Sequence, residues 1–352
     1  MRIAVYGANG YQGKLVLAEA VRRGLEVVAV GRDAGRLREA LAVTGLDGAG
    51  VEVRTTGDGD VPGHDALVTA FGDADAVVSC AGPFTRTGAS VVRAAIAAGR
   101  HHVDTAGEQL YVKQIFDTFG ADAERAGVAV VPAATDACVP TDLIAHLLAE
   151  RLGPLAEITC VHLIEGGGGP SRGSLRSVLE SLDAIRTGGL VYDGGDWRAG
   201  TSPGHASILL PGETEATAVT GFPLPEVVTV PRHVPTGRFV GFAEAALTAA
   251  LSAPVDPRIV DGLPEGPDPE SRAAQRFTYV VDATGAGGRR ARGVVRGFDT
   301  YGTTALIAVE AARRLVADPP KPGVLAPAQA YDPAGFLDFL ASHGVHRTVE
   351  EA

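Results

Sequence analysis

The chain has 352 residues, of which 45% are hydrophobic and 21% charged, enough for a large buried core and two domains without disulfide staples. Its formal net charge of −11 at pH 7 argues against nucleic acid or an anionic membrane as a main partner, since both select clustered Lys and Arg. Cys80, Cys138 and Cys160 are unpaired in number and not at metal-ligand spacing, no apolar run reaches the ~20 residues of a membrane span, and the first strand begins at residue 3; the expectation is a reduced, cytoplasmic, metal-free protein.

The first element is the strand Ile3 to Val5, followed by the turn "VYGANGYQGK" and a helix from Lys14 to Arg23. Gly7 allows the tight turn, Gly10 removes a side chain at the helix start, and Gly13 lets the helix pack on the strand. A helix N-terminus offers unpaired N–H groups and the positive end of a dipole, so a pyrophosphate docks there against bare backbone. Ala8, Asn9, Tyr11 and Gln12 complete this candidate cofactor loop. The Gly-x-x-Gly-x-x-Gly spacing is a variant common among NADP-binding enzymes. The second strand ends "VVAVGRD", with Arg32 where an NAD-binding fold carries a carboxylate for the ribose 2′-OH. An arginine suits a 2′-phosphate, and Arg36 offers a second contact. One charge-assisted bond of roughly 1.5–3 kcal/mol favours NADP over NAD by about 10- to 150-fold. Asp33, beside Arg32, points the other way.

The runs VEVRT, AVVSCAG, HHVDTAG and VAVVPAA, separated by helices such as Gly88 to Ala98 and Leu110 to Ala126, complete six strands of a doubly wound parallel sheet. Ligands of such sheets bind outside the carboxyl ends of the strands. The loop after the fourth strand holds Cys80, Ala81, Gly82, Pro83 and Phe84, a path for the cofactor. The next two loops supply Asp104 and Glu108, then Asp136, Cys138 and Asp142. Asp104 or Glu108 equally suits a cap for the helix near Leu110, and Thr141 or Asp142 a cap for the helix that follows. The cysteines suit small buried positions, and His101 and His102 structural ones.

Beyond Pro140 the rhythm changes to a helix from Thr141 to Leu152, a strand EITCVHLIEG, the glycine run 166–169 and a helix from Ser174 to Thr187. Arg172 and Arg176, near the start of that helix, are candidates for a substrate carboxylate or phosphate; the glycines equally permit close domain packing. Residues 190–240 and the proline-rich 254–270 read as strands in irregular loops. "RFTYVVDATG" and "RRARGVVRGFD" read as an antiparallel pair, and helices 303–316 and 333–342 as a return to the first domain. The expected division is residues 1–136 plus about 318–352 for cofactor binding and about 137–317 for substrate and dimerisation. No tyrosine has a lysine four residues later, and Gly-x-Ser-x-Gly and His-Glu-x-x-His motifs are missing.

Together, "GANGYQGKLV", "SCAGPFTRTGASVVRAAIAAGRHHVDTAGE", "AGVAVVPAATDACVPTDL", "PSRGSLRS" and "FDTYGTTALIAVEAARRL" through "GVLAPAQAYDP" resemble the saccharopine dehydrogenase-like NADP-dependent oxidoreductases over most of the chain outside 190–270. The resemblance implies an α/β fold with a Rossmann domain, a mixed-sheet α+β second domain inserted before the C-terminal helices, and a homodimer. It implies hydride transfer to a C=N or C=C bond of a small-molecule or carrier-bound intermediate. Phe84 stands where saccharopine-forming members often carry a tyrosine, so an amino-acid substrate does not transfer directly. The proton donor is then sought among Glu108, taken first for its reach and its neighbour Gly107, Tyr301, Asp104 and Asp136. A non-catalytic NADP sensor resembling the NmrA-like regulators, which share a similar opening loop, is the alternative.

Overall fold

The computed structural model describes residues 1–57, 63–200, 204–210, 212–253 and 256–351. Parts of the stretches 190–240 and 254–270, and residue 352, lie outside the described residues. The first half runs β1 (Arg2–Tyr6), α1 (Tyr11–Arg22), β2 (Glu26–Gly31), α2 (Ala34–Val43), β3 (Glu52–Thr55), α3 (His64–Phe71), β4 (Ala76–Ser79), α4 (Phe84–Ala97), β5 (His101–Asp104), α5 (Gln109–Ala126), β6 (Ala129–Val131) and α6 (Cys138–Leu152). The second half runs β7 (Leu155–Glu165), α7 (Arg172–Glu180), α8 (Leu182–Thr187), β8 (Leu190–Asp193), β9 (Asp196–Ala199), β10 (His205–Ile208), β11 (Thr217–Gly221), α9 (Glu226–Thr229), β12 (Thr236–Glu244), α10 (Ala245–Ser252), α11 (Pro257–Gly262), α12 (Pro269–Ala274), β13 (Arg276–Gly285), β14 (Arg290–Phe298), α13 (Thr300–Ala317), β15 (Gly323–Val324), α14 (Pro327–Ala330), α15 (Pro333–Ala341) and β16 (His346–Glu351).

One sheet is parallel throughout, ordered β15-β6-β5-β4-β1-β2-β3. Its central strands are continuous buried runs, Ile3–Val5 and Val77–Val78 among them, because helices cover both faces. Helices α3, α4 and α5 pack on one side, while α1 and α13 pack together on the other. The order reverses between β1 and β4, so the carboxyl ends of these strands open a crevice there. The second sheet is mixed, ordered β10-β11-β12-β7-β13-β14-β16, with β12 parallel to β7 and β13 antiparallel to it. Helix α6 leaves the first sheet and packs across β13 and β14 of the second.

The Rossmann sheet with an inserted mixed-sheet domain is as expected from the sequence. The returning segment differs in detail. Helix α13, read as a return to the first domain although the boundary of about 317 falls after it, lies against α1, β4 and β5. Of the tail, β15 joins the first sheet, but β16 pairs with β14 in the second. The helix read as Ser174 to Thr187 breaks at Ser181 into α7 and α8, and α4 starts four residues earlier than its sequence pattern suggests, at Phe84.

Candidate functional site

The turn after β1 has the geometry its glycines predict. Gly7 takes φ of +77°, and a Cβ there would lie 2.8 Å from that of Ala81. At Gly13 a Cβ would lie 2.2 Å from the Gly7 carbonyl oxygen. The ends of β1 and β4 and the start of α1 thus meet at contact distance, with no room for a side chain at Gly7 or Gly13. Gly10 is the N-cap of α1 and brings no side-chain cap, and the first intrahelical bond runs from Lys14 N to Gly10 O. The N–H groups of Tyr11, Gln12 and Gly13 therefore face outward as donors, the cradle that a pyrophosphate fits.

Side chains of this loop turn to the second domain. Tyr11 donates through its hydroxyl to Pro267 O at 2.6 Å, Gln12 to Tyr301 O at 3.1 Å, and Lys14 pairs with Glu265. Tyr11 and Gln12 therefore offer a dinucleotide their backbone. Asn9 Oδ1 lies by Gly31, at 3.3 Å from where a Cβ would stand. Arg32 is exposed at the end of β2. Its neighbour Asp33 is the N-cap of α2, accepting from Arg36 N at 3.0 Å. That role gives the carboxylate at this strand end a structural task.

Ala81 abuts Gly7, and Cys80 N donates to Tyr6 O at 2.8 Å, which fixes the loop after β4. Burial pushes the Cys80 thiol up to about 12, so it is a small wall residue rather than a nucleophile. Phe84 opens α4 and packs its ring against Tyr111.

Glu108 is 4% exposed, and its carboxylate accepts from Phe84 N at 2.8 Å, Thr85 N at 2.7 Å and Ser177 Oγ at 2.6 Å. Pro83, the N-cap of α4, has no side-chain donor or acceptor to offer. Glu108 supplies that missing cap from another loop and ties α7 over it. In this structure both its oxygens act as acceptors, the arrangement of a helix cap rather than of a proton donor. Asp104 is fully buried, and accepts from Ala133 N at 2.9 Å, Ala106 N at 3.1 Å and Tyr111 Oη at 2.7 Å. Ala133 adopts φ of 60° to deliver its N–H. Burial pushes the Asp104 carboxyl up to about 6 despite these bonds. Its bonds make it a buried knot between β5 and the loop after β6.

Arg172 and Arg176 both reach Asp261. Arg176 pairs with Asp261 at 2.6 Å, and Arg172 donates to the Asp261 carbonyl at 3.3 Å, both on the outer side of α7. The glycine run before them serves packing: a Cβ at Gly168 would meet Pro267 at 2.7 Å, and one at Gly167 would meet Gln275 at 2.8 Å.

Tyr301 stands in the first turn of α13, edge-on to Tyr11 with ring centroids 5.0 Å apart. Its hydroxyl accepts from Ser171 N at 2.6 Å and lies 3.0 Å from Ser174 Oγ. One turn on, Thr304 donates to Asp136 at 2.8 Å, and Tyr279 donates to the other oxygen of Asp136. Burial raises the Asp136 carboxyl, against the pull of those two hydroxyls. The sequence reading missed Ser171, Ser174 and Ser177. Helix α7 lays them across the crevice from Tyr301 to Glu108 as a roof, and the signal was their spacing on one face of a helix after a glycine run.

Over its whole length the chain superposes on saccharopine dehydrogenase (L-glutamate forming) from Saccharomyces cerevisiae, with a TM-score of 0.63, 13% identity, and coverage of 100% of this chain and 99% of that one. The chain has the saccharopine dehydrogenase fold. The resemblance of the sequence blocks and the three-dimensional architecture therefore coincide. Residues 1–134 match the NmrA-like family. A Mycobacterium tuberculosis protein with the provisional name trans-acting enoyl reductase is 32% identical over 190 residues, 51% of this chain and 44% of that protein. The trans-acting enoyl reductase of Mycobacterium leprae is 29% identical over 43% of this chain and 36% of its own. A lipid droplet localized protein of Caenorhabditis elegans is 28% identical over 53% and 46%. The chain thus spans less than half of each of these relatives. Among the described residues no helix is long and apolar enough to cross a membrane.

Proposed function

We propose that the chain is an NADPH-dependent reductase that delivers hydride to the C=C bond of an enoyl group, on a small molecule or a carrier. The observation that carries this reading is the uncapped first turn of α1, which follows the Gly7 turn packed on Ala81 and is roofed by Tyr301 of α13 and by α7 of the second domain. The names of the mycobacterial relatives favour C=C over C=N. Arg32, with Asp33 turned to capping, supports the 2′-phosphate.

When bound, NADPH supplies the hydride. Tyr301 supplies the proton: its hydroxyl already has the Ser171 N–H as a donor, so the phenolate formed on proton transfer is met by a fixed dipole, and the Ser174 hydroxyl beside it can rotate to donate as well. Gln12, bound to the Tyr301 carbonyl, couples the proton donor to the cofactor turn. NADPH oxidation against enoyl thioesters, imines and keto acids tests the reading. Turnover of an enoyl thioester is expected, and preferential turnover of an imine would move the chain to C=N reduction. Tight NADPH binding with no turnover of any acceptor would instead support the sensor reading that the NmrA-like match over 1–134 favours.

A further inference from the structure

Behind the crevice, on the side of the second sheet that faces α6, lies a polar cluster that the proposed reduction leaves unused. Cys160 and His162 sit two apart on β7 and so share a face. Glu226 opens α9 and meets them from the opposite side. The ligand-capable atoms of all three lie within 4.8 Å of one another. Cys160 and Glu226 are fully buried, and the His162 side chain is 12% exposed.

The hydrogen bonding of this cluster is incomplete in a directed way. Thr141 Oγ1 donates to Glu226 Oε1 at 2.8 Å, but Glu226 Oε2 has no hydrogen-bond partner. His162 Nε2 lies 3.0 Å from Glu226 Oε1 and yet has no hydrogen-bond partner either. The two atoms stand side by side rather than donor to acceptor. Among the described residues no Lys or Arg forms an ion pair with Glu226, so a fully buried carboxylate has one hydroxyl bond, from Thr141, and an ill-aligned imidazole beside it, an expensive arrangement. A thiol, an imidazole nitrogen and a carboxylate thus crowd together, with His162 Nε2 and Glu226 Oε2 both left without a hydrogen-bond partner.

We propose that Cys160 Sγ, His162 Nε2 and the Glu226 carboxylate bind one zinc ion. Thiolate, imidazole and carboxylate together suit zinc better than the hard cations that take oxygen alone, and three protein ligands leave the fourth position to water. Binding forms the Zn–S bond as the Cys160 thiol gives up its proton to solvent; nothing is oxidised or reduced. Thr141 then serves as the outer hydrogen bond that orients Glu226. The ion ties α9 to β7 beneath Tyr279, whose ring packs tilted against His162 at a centroid distance of 4.5 Å and whose hydroxyl holds Asp136. The sequence hid the site because its ligands combine a strand spacing with one remote glutamate.

The test is elemental analysis of the full chain, produced in zinc-supplemented medium and dialysed without chelator. About one zinc per chain is expected, falling at least ~10-fold in Cys160→Ser and Glu226→Gln and unchanged in His146→Gln. Cobalt reconstitution of the wild type, which needs no variant to fold, is expected to give a thiolate-to-cobalt charge-transfer band that added zinc abolishes. A wild type with neither stoichiometric zinc nor that band overturns the proposal and leaves a His162–Glu226 ion pair. Zinc that persists in both ligand variants, or is lost in His146→Gln, also overturns it by locating the metal elsewhere. None of these readouts depends on reductase activity.

Discussion

Replacing Glu108 by Ala separates a structural role from a chemical one. The substitution removes the acceptor for the N–H groups of Phe84 and Thr85 at the start of α4, and for the hydroxyl of Ser177. Ser177 can turn to another partner, but the two backbone donors cannot. A buried donor left without a partner costs roughly 1–3 kcal/mol, so the pair costs about 4 kcal/mol. A chain of 352 residues unfolds with an entropy of about 0.7 kcal/mol per kelvin, which converts that cost to a fall in Tm of about 5 °C. Glu108→Gln keeps one acceptor oxygen and is expected to fall about 2 °C. Differential scanning fluorimetry measures both, and steady-state NADPH oxidation with an accepted substrate is expected to show kcat within ~10-fold of wild type, below the ~100-fold typical of losing a general acid. A Glu108→Ala protein that melts with the wild type but has lost a hundredfold or more of its turnover would refute the capping role.

Tyr301→Phe is expected to lower kcat by ~100-fold or more with NADPH affinity unchanged in a fluorescence titration, because the hydroxyl goes and the ring contact with Tyr11 stays. Near-normal turnover would move the proton donor to water or substrate. Arg32→Ala should weaken NADPH about 10- to 150-fold and NADH little, as read by calorimetry; equal wild-type affinity for both would contradict the assignment of the strand end. Glu310 on α13 is buried, which raises its carboxyl, but its bonds to Arg313 and Arg314 outweigh this and hold it down to about 2. A carboxyl lower in the folded than the unfolded state stabilises above the unfolded value of ~4.3 and loses that contribution as pH falls toward the folded value. Chemical denaturation should therefore show wild-type stability declining across that acid window, with Glu310→Gln less stable at neutral pH and flatter across it. The mixed sheet is expected to mediate a homodimer, and light scattering giving a monomer at micromolar concentration would exclude that.

How far the sequence reached follows from how local each constraint is. Gly7 and Gly13 were legible because their task is local: a turn at positive φ and a helix start at contact distance from a strand permit no Cβ, whatever the rest of the chain does. The alternation of buried runs with helices likewise fixed a parallel sheet, since a strand covered on both faces must be apolar throughout. The carboxylates were not legible in the same way. Asp104, Glu108 and Asp136 all follow strands of one sheet and look alike in the sequence. Tertiary structure alone gave Asp104 to a buried knot, Glu108 to a helix start that Pro83 could not cap, and Asp136 to the hydroxyls of Tyr279 and Thr304. The same holds for Arg172 and Arg176, whose shared partner Asp261 is distant in sequence. A charged side chain's role depends on which partner reaches it first, and those partners came from other elements of the folded chain.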